Sequence, residues 1–125
     1  MTENDLSYKI RGCIFNVFNN LGPGLLEPAY EAALCYELDK INLQYACQLA
    51  LPMHYETIRL DNGYRLNLVV EGKVIIEIKS VETLLEVHHM QLITYLKLSG
   101  LKLGLLVNFN NDNIEKSIYR KVNGL

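Results

Sequence analysis

The sequence predicts an α/β domain of the α+β kind, a small mixed β-sheet flanked by helices, in the order α-α-β-β-β-α-β-β. Three observations lead there. The first third of the chain carries apolar residues at helical spacing. Short runs rich in Val, Ile and Leu follow, separated by turn signals. A single further helical pattern interrupts those runs before the chain ends in strand-like texture.

Taken in order, residues 5–19 place Leu6, Ile10, Ile14, Val17 and Phe18 on one helical face. Gly22, Pro23 and Gly24 break that helix, and a second is expected from about Leu26 to Ile41, with Pro28 tolerated in its first turn. Residues 47–60 read as one strand, with Leu49, Leu51, Met53, Tyr55 and Thr57 on one side, and Asp61-Asn62-Gly63 as a hairpin turn. Residues 64–80 supply two more strands. Residues 82–100 read as a helix capped by Gly100, 101–110 as a buried strand, and 114–122 as a final edge strand.

A chain of 125 residues is expected to form a single domain, 1–125, with a core of its own. Half of it is apolar, yet no run approaches the ~18 apolar residues of a membrane span. The acidic, polar opening MTENDLSYKI lacks the basic-then-apolar order of a secretory leader, so the expected location is cytoplasmic. Cys13, Cys35 and Cys47, widely spaced and odd in number, read as buried reduced thiols. A net charge of −2 argues against nucleic-acid binding through bulk charge, which leaves a local patch open.

The run YRLNLVVEGKVIIEIKS sets the central problem. A two-residue loop would put the apolar positions of its two strands on opposite faces. A three-residue loop, 71–73, pairs Val70 with Val74 and gathers Leu66, Leu68, Val70, Val74, Ile76 and Ile78 on one face. Arg65, Asn67, Val69, Ile75, Glu77 and Lys79 then share the other. Asn67 and Glu77 become cross-strand neighbours, β-carbons ~5 Å apart, with Lys79 one pleat along. Two oxygen-bearing side chains beside an amine are an arrangement used in phosphodiester hydrolysis, where the oxygens hold Mg²⁺ or Mn²⁺ and the lysine positions water and counters phosphate charge. For the tripeptide alone, a solvated Glu–Lys pair is the more common explanation.

Two other places bear on the same chemistry. Leu84, His88, Gln91 and Tyr95 are spaced by four, three and four on the expected third helix and form one stripe. Gln91 and Tyr95 either reach a site or form the polar edge of a core helix. Glu27 sits in the first turn of its helix, where a carboxylate is also explained by the dipole. Adjacent His88 and His89 point ~100° apart, which disfavours a zinc site.

Together, GLLEPAY at 24–30, the 64–80 run, HHMQLITYLKLSGLKLGLLVNFN and IYRKV resemble the GxxExxY family, placed in the PD-(D/E)XK nuclease superfamily. The resemblance covers nearly the whole chain. It implies a restriction-endonuclease-like core, a Mg²⁺ or Mn²⁺ cofactor and a DNA or RNA substrate. It also implies roles. Glu27 resembles the helix-borne acid near the metal, Glu77 and Lys79 the (D/E)xK element, and Gln91 and Tyr95 the QxxxY element. One position departs: the family pattern has an aspartate as central metal ligand where this chain has Asn67. Losing that charge beside a divalent ion should weaken its binding by orders of magnitude. The expected function is therefore a metal-dependent nuclease, weakened or inactive through Asn67. The alternative is a catalytically silenced nucleic-acid- or protein-binding module, and the apolar Met53/Tyr55 strand makes a homodimer plausible.

Overall fold

Thr2 and Asp5 form a reciprocal capping box: Asp5 N–H donates to Thr2 Oγ1 (3.1 Å) and Thr2 N–H to Asp5 Oδ2 (3.2 Å). From this start helix α1 runs over Glu3–Leu21, burying Leu6, Ile10, Cys13, Ile14 and Val17. It stops where Gly22 turns to φ +67°. Helix α2, Glu27–Lys40, buries Tyr30, Leu34 and Leu38. The computed structural model describes residues 1–61 and 63–125.

The expected single strand 47–60 is three strands. β1 (Tyr45–Ala50) ends before Leu51-Pro52, and β2 (Met53–Tyr55) pairs with β3 (Ile58–Leu60) in a separate two-stranded sheet. Pro52 has no N–H to give a ladder, which is why the alternation from Leu49 to Thr57 cannot stay in one sheet. The reversal falls at Glu56-Thr57, with Glu56 at φ +55°. The turn expected at 61–63 rests partly on Asn62, which lies outside the described residues. β3 and the next strand belong to different sheets.

That next strand, β4 (Arg65–Val70), and β5 (Val74–Lys79) have the register the apolar pattern predicted: Val70↔Val74, Val69↔Ile75 and Leu68↔Ile76. The three-residue loop holds Glu71 and Gly72 at positive φ, and Lys73 N–H donates back to Val70 O. Helix α3 covers Glu86–Ser99 and ends at Gly100 in the left-handed region, whose N–H donates to Leu96 O. It starts later than expected because His88 Nδ1 accepts Leu85 N–H (3.0 Å) and fixes the first turn there. Leu84 therefore precedes the helix and is not part of its stripe. A crossover through α3 brings β6 (Leu103–Asn108) parallel to β5. β7 (Ile118–Val122) closes the edge after a short 3-10 turn.

The main sheet has the order β1-β4-β5-β6-β7 between two helical layers. α1 and α2 pack on one face with Leu68, Val70, Val74, Ile76, Ile78, Leu105 and Val107. On the other, α3 packs Leu92, Tyr95 and Leu96 against Val69, Ile75 and Leu106. Close approach of α3 needs Gly104, where a β-carbon would lie 2.8 Å from Leu92 Cδ1. Leu66, expected to share a face with Leu68, packs on the α3 side instead. Of the cysteines only Cys13 is buried; Cys35 is half-buried and Cys47 exposed. Among the described residues no helix is long and apolar enough to cross a membrane.

Candidate functional site

The displacement of Leu66 originates at Asn67. The β1–β4 ladder passes from Cys47↔Leu68 to Leu49↔Leu66, stepping over Gln48 and Asn67, and Gln48 sits at φ +51°. On its other edge β4 leaves β5 after Leu68↔Ile76. Side chains take over where the ladder ends. Asn67 N–H donates to Glu77 Oε2 (2.8 Å), and Ile78 N–H donates to Asn67 Oδ1 (2.8 Å). The two strands part without orphaning the main chain, and the pleat breaks in doing so.

The opening leads to a cleft of about 210 Å³ lined by Glu27, Pro28, Glu31, Gln48, Asn67 and Ile78. Glu27 stands at its mouth as the first residue of α2. The loop before it is held from below. Tyr30 donates its hydroxyl to Gly22 O (2.6 Å), accepts from Leu25 N–H (3.1 Å), and stacks on Phe109 with ring centroids 4.3 Å apart. Gly24, at φ +99°, supplies a turn that an L side chain resists. Ser80 Oγ donates to Leu25 O, tying the end of β5 to the same loop. In GLLEPAY, then, the glycine shapes the loop, the tyrosine clasps it and the glutamate faces the cleft.

Glu77 lies between the two layers and is 4% exposed. Burial pushes its carboxyl up to about 7; the Asn67 N–H and the Lys79 charge oppose the rise, while Glu27 and Glu31 add to it. The ion pairs among the described residues are Lys40–Glu37 and Arg59–Asp61, so Lys79 acts on Glu77 through space and not by direct contact. On the α3 side Gln91 lies one helical turn before Tyr95 and opposes the rise of its phenol. Burial raises the Tyr95 phenol, and the Glu77 charge raises it further. Tyr64 leans on Tyr95 at a ring separation of 6.1 Å.

Glu27 and Asn67 thus share the cleft, Glu77 backs it through its bond to Asn67, and Lys79, Gln91 and Tyr95 stand outside its lining. Glu31 and Gln48 belong to the lining and escaped the sequence reading; Gln48 Nε2 donates to Glu31 Oε1 (2.8 Å). Glu31 lies one helical turn after Glu27, and that spacing was a usable signal.

These donors do not fit a Mg²⁺ or Mn²⁺ ion as they stand. Among the described residues no group of three or more His, Cys, Asp or Glu side chains is placed to hold a metal. Ile78 N–H donates to Asn67 Oδ1, so the one oxygen of this amide already accepts a bond, and its other terminal atom is an NH₂. An aspartate would present a second oxygen there. A hard cation needs oxygens, and an amide NH₂ offers it hydrogens.

No curated protein and no solved structure matches the chain. A family model described as the PD-(D/E)XK nuclease superfamily matches residues 4–121. With three helices and a five-stranded mixed sheet in the restriction-endonuclease-like manner, and a family match from its first helix to its last strand, the chain belongs to the PD-(D/E)XK nuclease superfamily.

Proposed function

We propose that this chain is an attenuated nuclease, a single domain whose metal-dependent cleavage of DNA or RNA is weak or lost because residue 67 is an amide. The observation that carries the reading is the bond from Ile78 N–H to Asn67 Oδ1, which engages the one oxygen of a side chain whose other terminal atom is an NH₂. Glu77, whose carboxyl burial pushes up to about 7, is a second weakened ligand. In this reading Glu27, Asn67 and Glu77 descend from a Mg²⁺ or Mn²⁺ site, and Lys79 keeps the charge that would face a phosphate. Gln91 orients the Tyr95 hydroxyl. The motif at 24–30 supports placing the chain with the GxxExxY proteins inside the superfamily.

The test compares the native chain, Asn67→Asp, and Asn67→Asp combined with Lys79→Ala on single- and double-stranded DNA and RNA with Mg²⁺ or Mn²⁺. Cleavage is expected to rise at least tenfold with Asn67→Asp and to fall back in the double variant. Native cleavage as fast as that of the Asp variant overturns the reading.

A second reading, a binding module acting as a homodimer, is supported by the β2–β3 hairpin, where Tyr55 and Ile58 are 67% and 58% exposed. Light scattering of the native chain and of a Tyr55→Ser/Ile58→Ser variant tests it; a native monomer removes it.

A further inference from the structure

Two cysteines lie next to Glu31 and Gln48 of the cleft lining, on the same helix and strand. Cys35 is on α2, one turn beyond Glu31. Cys47 is on β1, immediately before Gln48. Their sulfurs are 3.3 Å apart, so the pair runs beside the Glu31–Gln48 hydrogen bond, and both contacts join the same helix to the same strand. Neither thiol is needed by the nuclease reading. Cys47 is exposed, Cys35 is half-buried, and Cys13 is enclosed in the core on α1.

We propose that Cys35 and Cys47 are a peroxide-sensitive modification site that closes reversibly into a disulfide clamping α2 to β1 beside the cleft. The sulfurs are already in contact, and the ~2.05 Å of an S–S bond lies about an ångström closer. The exposed Cys47 meets the oxidant. Its sulfur attacks one oxygen of a hydroperoxide, the O–O bond breaks, and an S–OH forms with release of water or an alcohol. The Cys35 sulfur then displaces that hydroxyl, which leaves as water with the Cys35 proton, and the S–S bond forms. Two electrons pass from the sulfurs to the peroxide, and nothing else is consumed. Burial and the neighbouring Cys47 push the Cys35 thiol up to about 12, which leaves the first step to Cys47; in the second, Cys35 gives up its proton to the departing hydroxyl as the S–S bond forms. The disulfide would fix the wall that Gln48, held at φ +51°, contributes to the cleft.

The test uses the full native chain, treated with stoichiometric hydrogen peroxide and then with an alkylating agent under denaturing conditions. Three alkylatable thiols are expected to fall to one, Cys13, with the mass of the monomer lowered by two hydrogens. A peptide linking residues 35 and 47 should appear, and dithiothreitol should restore all three thiols. Thermal melting should move upward on oxidation and return on reduction, and Cys35→Ser should abolish the shift. Peptide mapping of the native chain gives the answer even where that variant fails to fold. Three thiols after treatment, a Cys47 sulfinic acid beside an alkylatable Cys35, or a bridge between two chains would each overturn the proposal. None of these readouts depends on whether the cleft cleaves nucleic acid.

Discussion

At the turn end of the β4–β5 hairpin, Val70 faces Val74 and Val69 faces Ile75, and the backbone ladder is regular. At the open end, two pleats away, Asn67 and Glu77 replace that ladder with side-chain bonds, and the strands separate. The same two strands serve both ends. Apolar alternation, which any slip would invert, sets the register at the turn. The polar end then uses that register: the Glu77 side chain reaches the main chain of Asn67, and the Asn67 side chain that of Ile78, only because Val70 is opposite Val74. Stability is concentrated at one end and chemistry at the other, so substitutions at the two should behave differently.

The largest effect is expected at the turn end. Ile76→Ala, at a fully buried position of the ladder, should cost about 4 kcal/mol, read as a lower urea midpoint at unchanged slope.

At the open end the leading effect depends on pH. Glu77 holds its proton up to about 7 in the fold, against 4.5 as its ordinary value. The folded state binds the proton more tightly, so this contribution is complete below the unfolded value and is lost as pH rises through the folded one. It amounts to about 3 kcal/mol. Glu77→Gln keeps an oxygen for Asn67 N–H and removes the titration. Stability measured from pH 4 to pH 8 should fall in the native chain and stay level, for this group, in the variant. An equal fall in both would show that burial at this end does not act on Glu77.

A smaller effect is expected from Asn67→Asp, which can still accept the Ile78 N–H but adds a charge beside Glu77. At pH 8 without metal it should lose about 1 kcal/mol. Addition of Mn²⁺ should restore that loss in the variant and shift the native chain much less. The smallest belongs to Glu31→Gln, which removes one of the two charges raising Glu77 and should gain about 0.5 kcal/mol at pH 8, with no gain at pH 4.

The same contrast explains what could be read from the chain alone. The β4–β5 register was legible because five apolar side chains, Leu68, Val70, Val74, Ile76 and Ile78, agree on it. Gly100 marked the end of α3 because a left-handed cap favours glycine. The face of Leu66 was not legible, since the pleat breaks through bonds that exist only once the strands are paired. The division of residues 47–60 was missed for a related reason: Leu49 to Thr57 alternate locally, and alternation carries no information about which sheet a strand joins. Pro52 was the warning. Gln48 adopts a positive φ without being glycine or asparagine, so nothing in its identity announces its place in the cleft. Glu27, Asn67 and Glu77 were identified by motif, but the direction in which the Asn67 amide faces is a property of the folded hairpin.

The Tyr30 clasp carries one further consequence. The loop that sets Glu27 at the cleft mouth is anchored by a hydroxyl to Gly22 and Leu25 and by a ring face to Phe109, and none of these contacts passes through residue 67. The entrance is built independently of whatever occupies the interior. The doorway and the residue behind it are therefore separately editable here: an exchange at hairpin position 67 leaves the doorway standing.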